Sequence, residues 1–269
     1  MFNQELSSRY LVCEIVTFNL KYRVSVTWSV QWGSNLRFHQ MISQDSGCCS
    51  YLAGSGREFI LVDPLIDVER FVKAVGQEGG KIVGVIDTHV HADHISGSRE
   101  IQKLTGCPLY MYETSPVKFS FVPLKEGEYH MAGLKVELFH TPGHASEHVC
   151  LLVEDKTVLT GDTLLVKDVG RVDLGRGDPG QLYDSLFNKL LALEDHVEVL
   201  PGHVGKAHFV SGDTSSTIGL ERRTNPALQA KTRDEFLQYT TEGWPPKPAH
   251  YEQYIKVNCG LMELREAQF

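Results

Sequence analysis

Four potential metal ligands fall within six residues of this 269-residue chain, in the run Asp87-Thr-His89-Val-His91-Ala-Asp93-His94. From the chain's own His and Asp frequencies, such an HxHxDH run arises by chance on the order of once in a thousand sequences, so it is a specific signal. Histidines at i and i+2 on extended backbone point to one side, which lets His89 and His91 face a common point. Asp93 and His94 open the next predicted element, and from there they aim at a neighbouring point. One loop can therefore serve two metal positions. Three more potential ligands stand in short glycine-bearing turns: Thr141-Pro-Gly-His144, Gly161-Asp162 and Pro201-Gly-His203. Glycine beside a ligand permits a tight turn and a close backbone approach, and a histidine and carboxylate set suits zinc, iron or manganese rather than calcium.

Each of these turns follows an apolar run that reads as a strand, so the elements behind them explain their placement. Lys81 to Ile86 reads as a buried strand before the first cluster. Leu134 to Phe139, Thr157 to Thr160 and Val197 to Leu200 read as strands before the other three. Further strands are expected at Glu58 to Val62, Leu109 to Tyr112 and Val149 to Val153. Helices are expected from Asp67 to Gly79, His94 to Leu104, Gln181 to Leu193 and Thr232 to Tyr239. Interleaved strands and helices imply a layered α/β domain, with all four ligand turns opening on one edge of the sheets. We divide the chain into an N-terminal extension over 1–35, with a strand or hairpin around Tyr22 to Trp28, and a main domain over 36–269 ending in a short helical and Pro-rich tail.

Composition narrows the partners. Acidic residues outnumber basic ones 34 to 26, for a formal charge of -8, so no overall positive field gathers nucleic acid. The six cysteines form no CxxC pair, which fits a reducing compartment. No apolar run reaches the roughly 20 residues of a membrane span, and the first thirty residues lack a signal-peptide core. The expectation is a cytoplasmic protein that binds neither membrane nor nucleic acid, with a homodimer left open.

The order HxHxDH, TPGH, GDT and PGH resembles the metallo-β-lactamase superfamily from about Phe38 to His203. The resemblance implies a four-layered αββα sandwich with the metal site at the open edge of its two sheets. Across the superfamily it implies His89, His91 and His144 at a first metal position, Asp93, His94 and His203 at a second, and Asp162 able to bridge. Around the ligands, the stretch from Gly161 to Asp173, the segment Glu221-Arg-Arg-Thr-Asn-Pro226, the loop Trp244-Pro-Pro-Lys-Pro248 and Asn258-Cys259-Gly260 are similar to the persulfide dioxygenase branch. That branch implies one Fe(II) held by His89, His144 and Asp162, which would be a facial triad with open coordination positions. It implies oxidation of glutathione persulfide by O2 to sulfite and thiol.

On this reading His91, Asp93, His94 and His203 either hold a second ion or orient the first set. Arg171 and Asp173 form a Gly-Arg-x-Asp motif beside the metal, as a catalytic pair or a structural ion pair. Arg171, Arg222, Arg223 and Cys259 are candidate substrate contacts. Adjacent Cys48 and Cys49 have no ligand spacing and read as structural, and packing or surface roles are expected for the histidines outside the motif, His148 included. One departure from the branch is Val204-Gly-Lys206 after the last histidine, where relatives carry a Tyr. The rival reading is a dinuclear zinc thioester hydrolase of the glyoxalase II kind, which uses the same ligands but implies a longer helical C-terminal region rich in Lys and Arg. A metal-bound scaffold without turnover is a third, opposed by the intact ligand set.

Overall fold

The computed structural model describes residues 24–32, 36–43, 45–204, 213–244 and 246–269. Of the expected extension over 1–35, only Val24–Trp32 lies inside these; Gly205 and Lys206, which carry the departure from the branch, lie outside them.

Two sheets form the centre. The first runs β1 (Val24–Trp32), β2 (Leu36–Ser43), β3 (Cys49–Ser55), β4 (Glu58–Val62), β5 (Lys81–Ile86), β6 (Leu109–Tyr112) and β7 (Val122–Leu124), in that spatial order. Its first four strands pair antiparallel and the rest parallel. The second contains β8 (Gly127–Met131), β9 (Leu134–His140), β10 (Val149–Val153), β11 (Thr157–Gly161), β14 (Glu198–Pro201) and β15 (Ser216–Thr217), ordered 15-14-11-10-9-8. Between its members lies a two-stranded ribbon, β12 (Leu164–Leu165) with β13 (Asp168–Val169).

The central strands β4, β10 and β11 are buried almost throughout, without alternation, because both faces of the sheet are covered there, whereas β9 alternates buried with half-buried residues. In β4, Ile60 and Val62 point into the core between the sheets, while Phe59 and Leu61 point to the outer helices. In β10, Val149, Leu151 and Val153 face the inter-sheet core and Cys150 and Leu152 the opposite layer. One outer layer is α1 (Glu69–Gln77) and α2 (Ser98–Thr105), which bury Phe71, Val75 and Ile101 against the first sheet. The other is α3 (Pro179–Asn188), α4 (Ile218–Thr224) and α5 (Arg233–Thr241), which bury Leu182, Leu186, Ile218 and Phe236 against the second. The result is the four-layered αββα sandwich. A last helix, α6 (Tyr251–Asn258), packs beside α2, where the Arg99 guanidinium donates to the Val257 carbonyl at 3.0 Å.

Topology places the ligand turns. β9 and β11 are both antiparallel to β10, and β14 is parallel to β11, so all three end at the same edge of the second sheet. The turn after β5 is joined to that edge by the Val149 N–H, which donates to the Thr88 carbonyl at 2.9 Å.

One expected helix starts late. The periodicity predicts a helix from His94, but α2 begins at Ser98 and residues 87–97 are loop. Asp87 accepts from the hydroxyls of Ser96 (3.0 and 2.9 Å) and Ser98 (2.5 Å), and these local bonds hold the loop open instead of letting it coil. Gln181 to Leu193 likewise divides into α3 and a 3-10 turn over Leu190–Ala192. β8, α4 and α6 carry no clear periodicity and are additions to the sequence reading.

Candidate metal centre

Three clusters of potential ligands meet at this edge: His89, His144 and Asp162; Cys48, Asp93 and His94; and Asp63, Asp87 and His91. Within each, one donor atom per residue lies within 4.8 Å of the others.

The first cluster is oriented by its hydrogen bonds. Thr88 Oγ1 gives its single proton to Asp63 Oδ2 at 2.8 Å, so its contact with His89 Nδ1 at 3.0 Å must be one it accepts. His89 therefore carries its proton on Nδ1 and keeps a lone pair on Nε2. His144 does the same, since its Nδ1 donates to the Arg171 carbonyl at 2.7 Å. Its Nε2 stands 3.7 Å from Asp162 Oδ2. Fixing the outer nitrogen of a histidine with a hydrogen-bond acceptor is how proteins prepare the inner nitrogen for a metal. Burial first, and then the neighbouring His91, His144 and His148, keep the His89 pKa well below its ordinary value, so the lone pair is available.

Asp162 is set by a residue the sequence reading assigned to packing. His148 Nε2 accepts from the Asp162 N–H at 3.0 Å, which leaves its Nδ1 proton for Thr141 or Thr163, each at 3.0 Å. Burial is the main cause of its lowered pKa, and the neutral ring is the form this bond needs. Gly161 is required here: its φ is +45°, and a Cβ would lie 2.4 Å from His148 Nε2.

His91 does not join His89 and His144. Its Nε2 lies 3.2 Å from Asp63 Oδ1 and 4.0 Å from Asp87 Oδ1, with its ring 4.3 Å from that of His89. Burial alone would lower its pKa, but Asp63 and Asp87 outweigh that and raise it to about 9. The ring thus sits between two buried carboxylates that favour its charged form, and the first cluster has two histidines and one carboxylate rather than three histidines. The His91 ring faces Asp63, a carboxylate on the loop after β4 that the sequence pattern around His89 does not contain.

The second cluster is also wider than expected. Asp93 Oδ1 lies 2.9 Å from His94 Nδ1, and its Oδ2 lies 3.4 Å from His203 Nδ1 and 3.2 Å from Cys48 Sγ. Cys48, read from sequence as structural, is thus part of the site.

The remaining candidates separate. Arg171 forms a two-pronged pair with Asp173 (2.7 and 2.9 Å), reaches the Pro246 carbonyl at 3.4 Å and stands 5.8 Å from the Trp244 ring. With Ala92, Asp93, His144, Asp162, His203 and Trp244, it lines a cavity of about 230 Å³ over both ligand clusters. Arg222 instead pairs with Asp195 and donates to the Leu191 carbonyl at 2.6 Å, and Arg223 lies 3.7 Å from Asp195. Neither lines the cavity, and neither does Cys259, a buried thiol whose carbonyl accepts from the Lys118 N–H.

The motifs containing those three act through their neighbours. Glu221, fully buried, accepts from the Lys167 N–H at 2.8 Å, and Asn225 Nδ2 donates to the Asp168 carbonyl at 2.9 Å, which braces the stretch leading to Arg171. Asn258 Nδ2 donates to the carbonyls of His91 (2.9 Å) and His94 (2.8 Å), and its Oδ1 accepts from the Ser96 N–H at 3.0 Å. Asn258 thus clamps the metal loop, and Glu221 and Asn225 brace the stretch before Arg171, while Arg222, Arg223 and Cys259 make none of these contacts.

Residues 45–203 match the family described as the metallo-beta-lactamase superfamily. The chain is 30% identical to the bovine (Bos taurus) protein named persulfide dioxygenase ETHE1, mitochondrial, over 85% of this chain and 91% of that one. The crystal structure of ETHE1 from Myxococcus xanthus superposes with a TM-score of 0.78 at 32% identity, covering 83% of this chain and 98% of that one. Hydroxyacylglutathione hydrolase GloC of Haemophilus influenzae is 27% identical over 68% of this chain and 93% of its own. The ligand turns, the sandwich and these matches agree: the chain belongs to the metallo-β-lactamase superfamily, alongside its persulfide dioxygenase relatives.

Proposed function

We propose that this protein is a mononuclear Fe(II) persulfide dioxygenase that oxidises glutathione persulfide, or a similar low-molecular-weight persulfide, with O2 to sulfite and thiol. The observation that carries the reading is the donor set: two imidazoles with fixed tautomers and free Nε2 lone pairs beside one carboxylate. This set fits Fe(II), and the ion would supply the redox chemistry while leaving positions for substrate sulfur and O2. The displacement of His91 toward Asp63 and Asp87 supports two histidines, not three, in the set.

The chain's own residues bind and orient. Arg171 gives the cavity wall a positive charge that favours an anionic persulfide, and Asp173 holds the guanidinium in place. Trp244 and the apolar Leu165, Val169 and Leu174 give the cavity an apolar wall that disfavours water beside the substrate. No side chain is needed as a nucleophile. The five described cysteines are unbonded, which supports a reducing, cytoplasmic setting; no helix among the described residues is long and apolar enough to cross a membrane.

A second reading is a dinuclear zinc thioester hydrolase, favoured by the ligand-like grouping of Asp93, His94 and His203. The two are separated by supplying metal-reconstituted protein with glutathione persulfide and with a glutathione thioester. We expect oxygen consumption with the first and no hydrolysis of the second; thioester hydrolysis without oxygen uptake selects the hydrolase.

A further inference from the structure

We propose that Glu147 is a positioning residue for the metal centre, whose carboxylate fixes the peptide that follows His89 and so sets where the His89 imidazole points. Glu147 lies in the turn between β9 and β10, outside every ligand motif, and is 1% exposed. A carboxylate is almost never buried so completely without partners. Its partners here are a backbone amide and a hydroxyl: Oε1 accepts from the Val90 N–H at 3.1 Å, and Oε2 accepts from the Ser146 hydroxyl at 2.9 Å. The first bond crosses 57 residues of sequence, from this turn into the loop that carries His89 and His91.

The direction in which a side chain leaves the backbone is set by the two peptide planes beside it, since φ and ψ are the only soft backbone angles. Both planes beside His89 are held from one place. The plane before it is fixed at the Thr88 carbonyl, which accepts from the Val149 N–H at 2.9 Å. The plane after it is fixed at the Val90 N–H by Glu147. The ring is then held by Thr88 Oγ1 at Nδ1, so backbone and imidazole are each tied down. Glu147 and Val149 also belong to the stretch that presents His144, and that stretch is closed on itself by the Thr141 N–H donating to the His148 carbonyl at 2.8 Å. One closed turn therefore sets His89 and His144 relative to each other, and the spacing of their Nε2 atoms is what an ion reads. The side chain of Glu147 is the part of this device that sequence can change without touching a ligand.

The proposal rests on His89 as a metal ligand but not on iron or on persulfide oxidation. Cobalt(II) is the probe, because its visible absorption follows the arrangement of its ligands, and the readout is the affinity and spectrum of the equivalent that His89→Ala removes from metal-free protein. Three substitutions separate the acceptor from the charge. Glu147→Gln keeps an oxygen within reach of the Val90 N–H while removing the charge, and it should bind cobalt with an affinity and spectrum close to wild type. Glu147→Asp keeps the charge but is one methylene shorter, and Glu147→Leu keeps the length without an acceptor; each should bind about tenfold more weakly or worse, with an altered spectrum. The Gln and Asp variants carry the test if the Leu variant does not fold. Wild-type affinity and spectrum in Glu147→Asp overturn the proposal, as does a Glu147→Gln variant that binds as weakly as Glu147→Asp. A His89→Ala variant that keeps all of its cobalt overturns the ligand reading itself and this proposal with it, so the two failures are told apart.

Discussion

At the residue scale, the site is built by giving each ligand one partner that fixes its proton. The chain Asp63–Thr88–His89 decides a tautomer by elimination, because a hydroxyl has a single proton to give. The Arg171 carbonyl does the same for His144, and His148 holds Asp162 through its backbone. The ligand types were legible in sequence because HxHxDH, TPGH, GDT and PGH are local patterns. Their supports were not, since Asp63 is 26 residues before His89 and Cys48 is 155 before His203, and only sheet pairing unites them. Arg171 contributes its carbonyl to His144 whatever its side chain is, so the side chain can be tested separately. Arg171→Lys keeps the charge but loses the planar fork on Asp173. We expect kcat/KM for persulfide to fall about tenfold or more, roughly 1.4 kcal/mol of transition-state stabilisation, with iron content nearly unchanged. A Lys variant with wild-type turnover and a much lower melting temperature assigns Arg171 to structure alone.

At the element scale, the C-terminal segments act as braces for loops that arise far away in sequence. The strands β4, β5, β6, β9, β10, β11 and β14 and helix α1 were readable because these strands are short apolar runs and α1 has apolar residues at helical spacing. α6 was not, because only Val257 and Asn258 of its eight residues are buried. Asn258 is nevertheless the element's functional end, as it satisfies the two carbonyls of His91 and His94 and the N–H of Ser96. Asn258→Ala leaves those groups unpaired in a buried site, at about 1–3 kcal/mol for each group that water does not reach. We expect the variant to melt lower and to lose iron faster to a chelator, without a change in the identity of the metal. An Ala variant with wild-type iron retention removes α6 from the account of the site.

At the scale of the whole molecule, the sandwich brings ionisable groups into its interior, and its stability must follow their titration. His91 is the clearest case. Its folded pKa is raised from 6.5 to about 9, chiefly by Asp63 against the opposing effect of burial. A group that holds its proton more tightly when folded stabilises the fold below its unfolded pKa and stops doing so above its folded pKa. Metal-free protein should therefore lose stability as pH rises from 6.5 through about 9. Denaturant midpoints on either side of that window should differ for wild type, and His91→Gln should flatten the difference. An unchanged slope in His91→Gln places the dependence on another group.

The central claim is that one iron is held by His89, His144 and Asp162 and not by the neighbouring Asp93 and His94. Iron per chain, measured on protein purified without oxygen, tests it most directly when wild type is compared with alanine variants at these five positions. We predict that His89→Ala, His144→Ala and Asp162→Ala each lose most of their iron and all oxygen uptake on glutathione persulfide, while Asp93→Ala and His94→Ala retain substantial iron. Equal loss of iron from both groups would contradict the account and favour two interacting ions in a hydrolase.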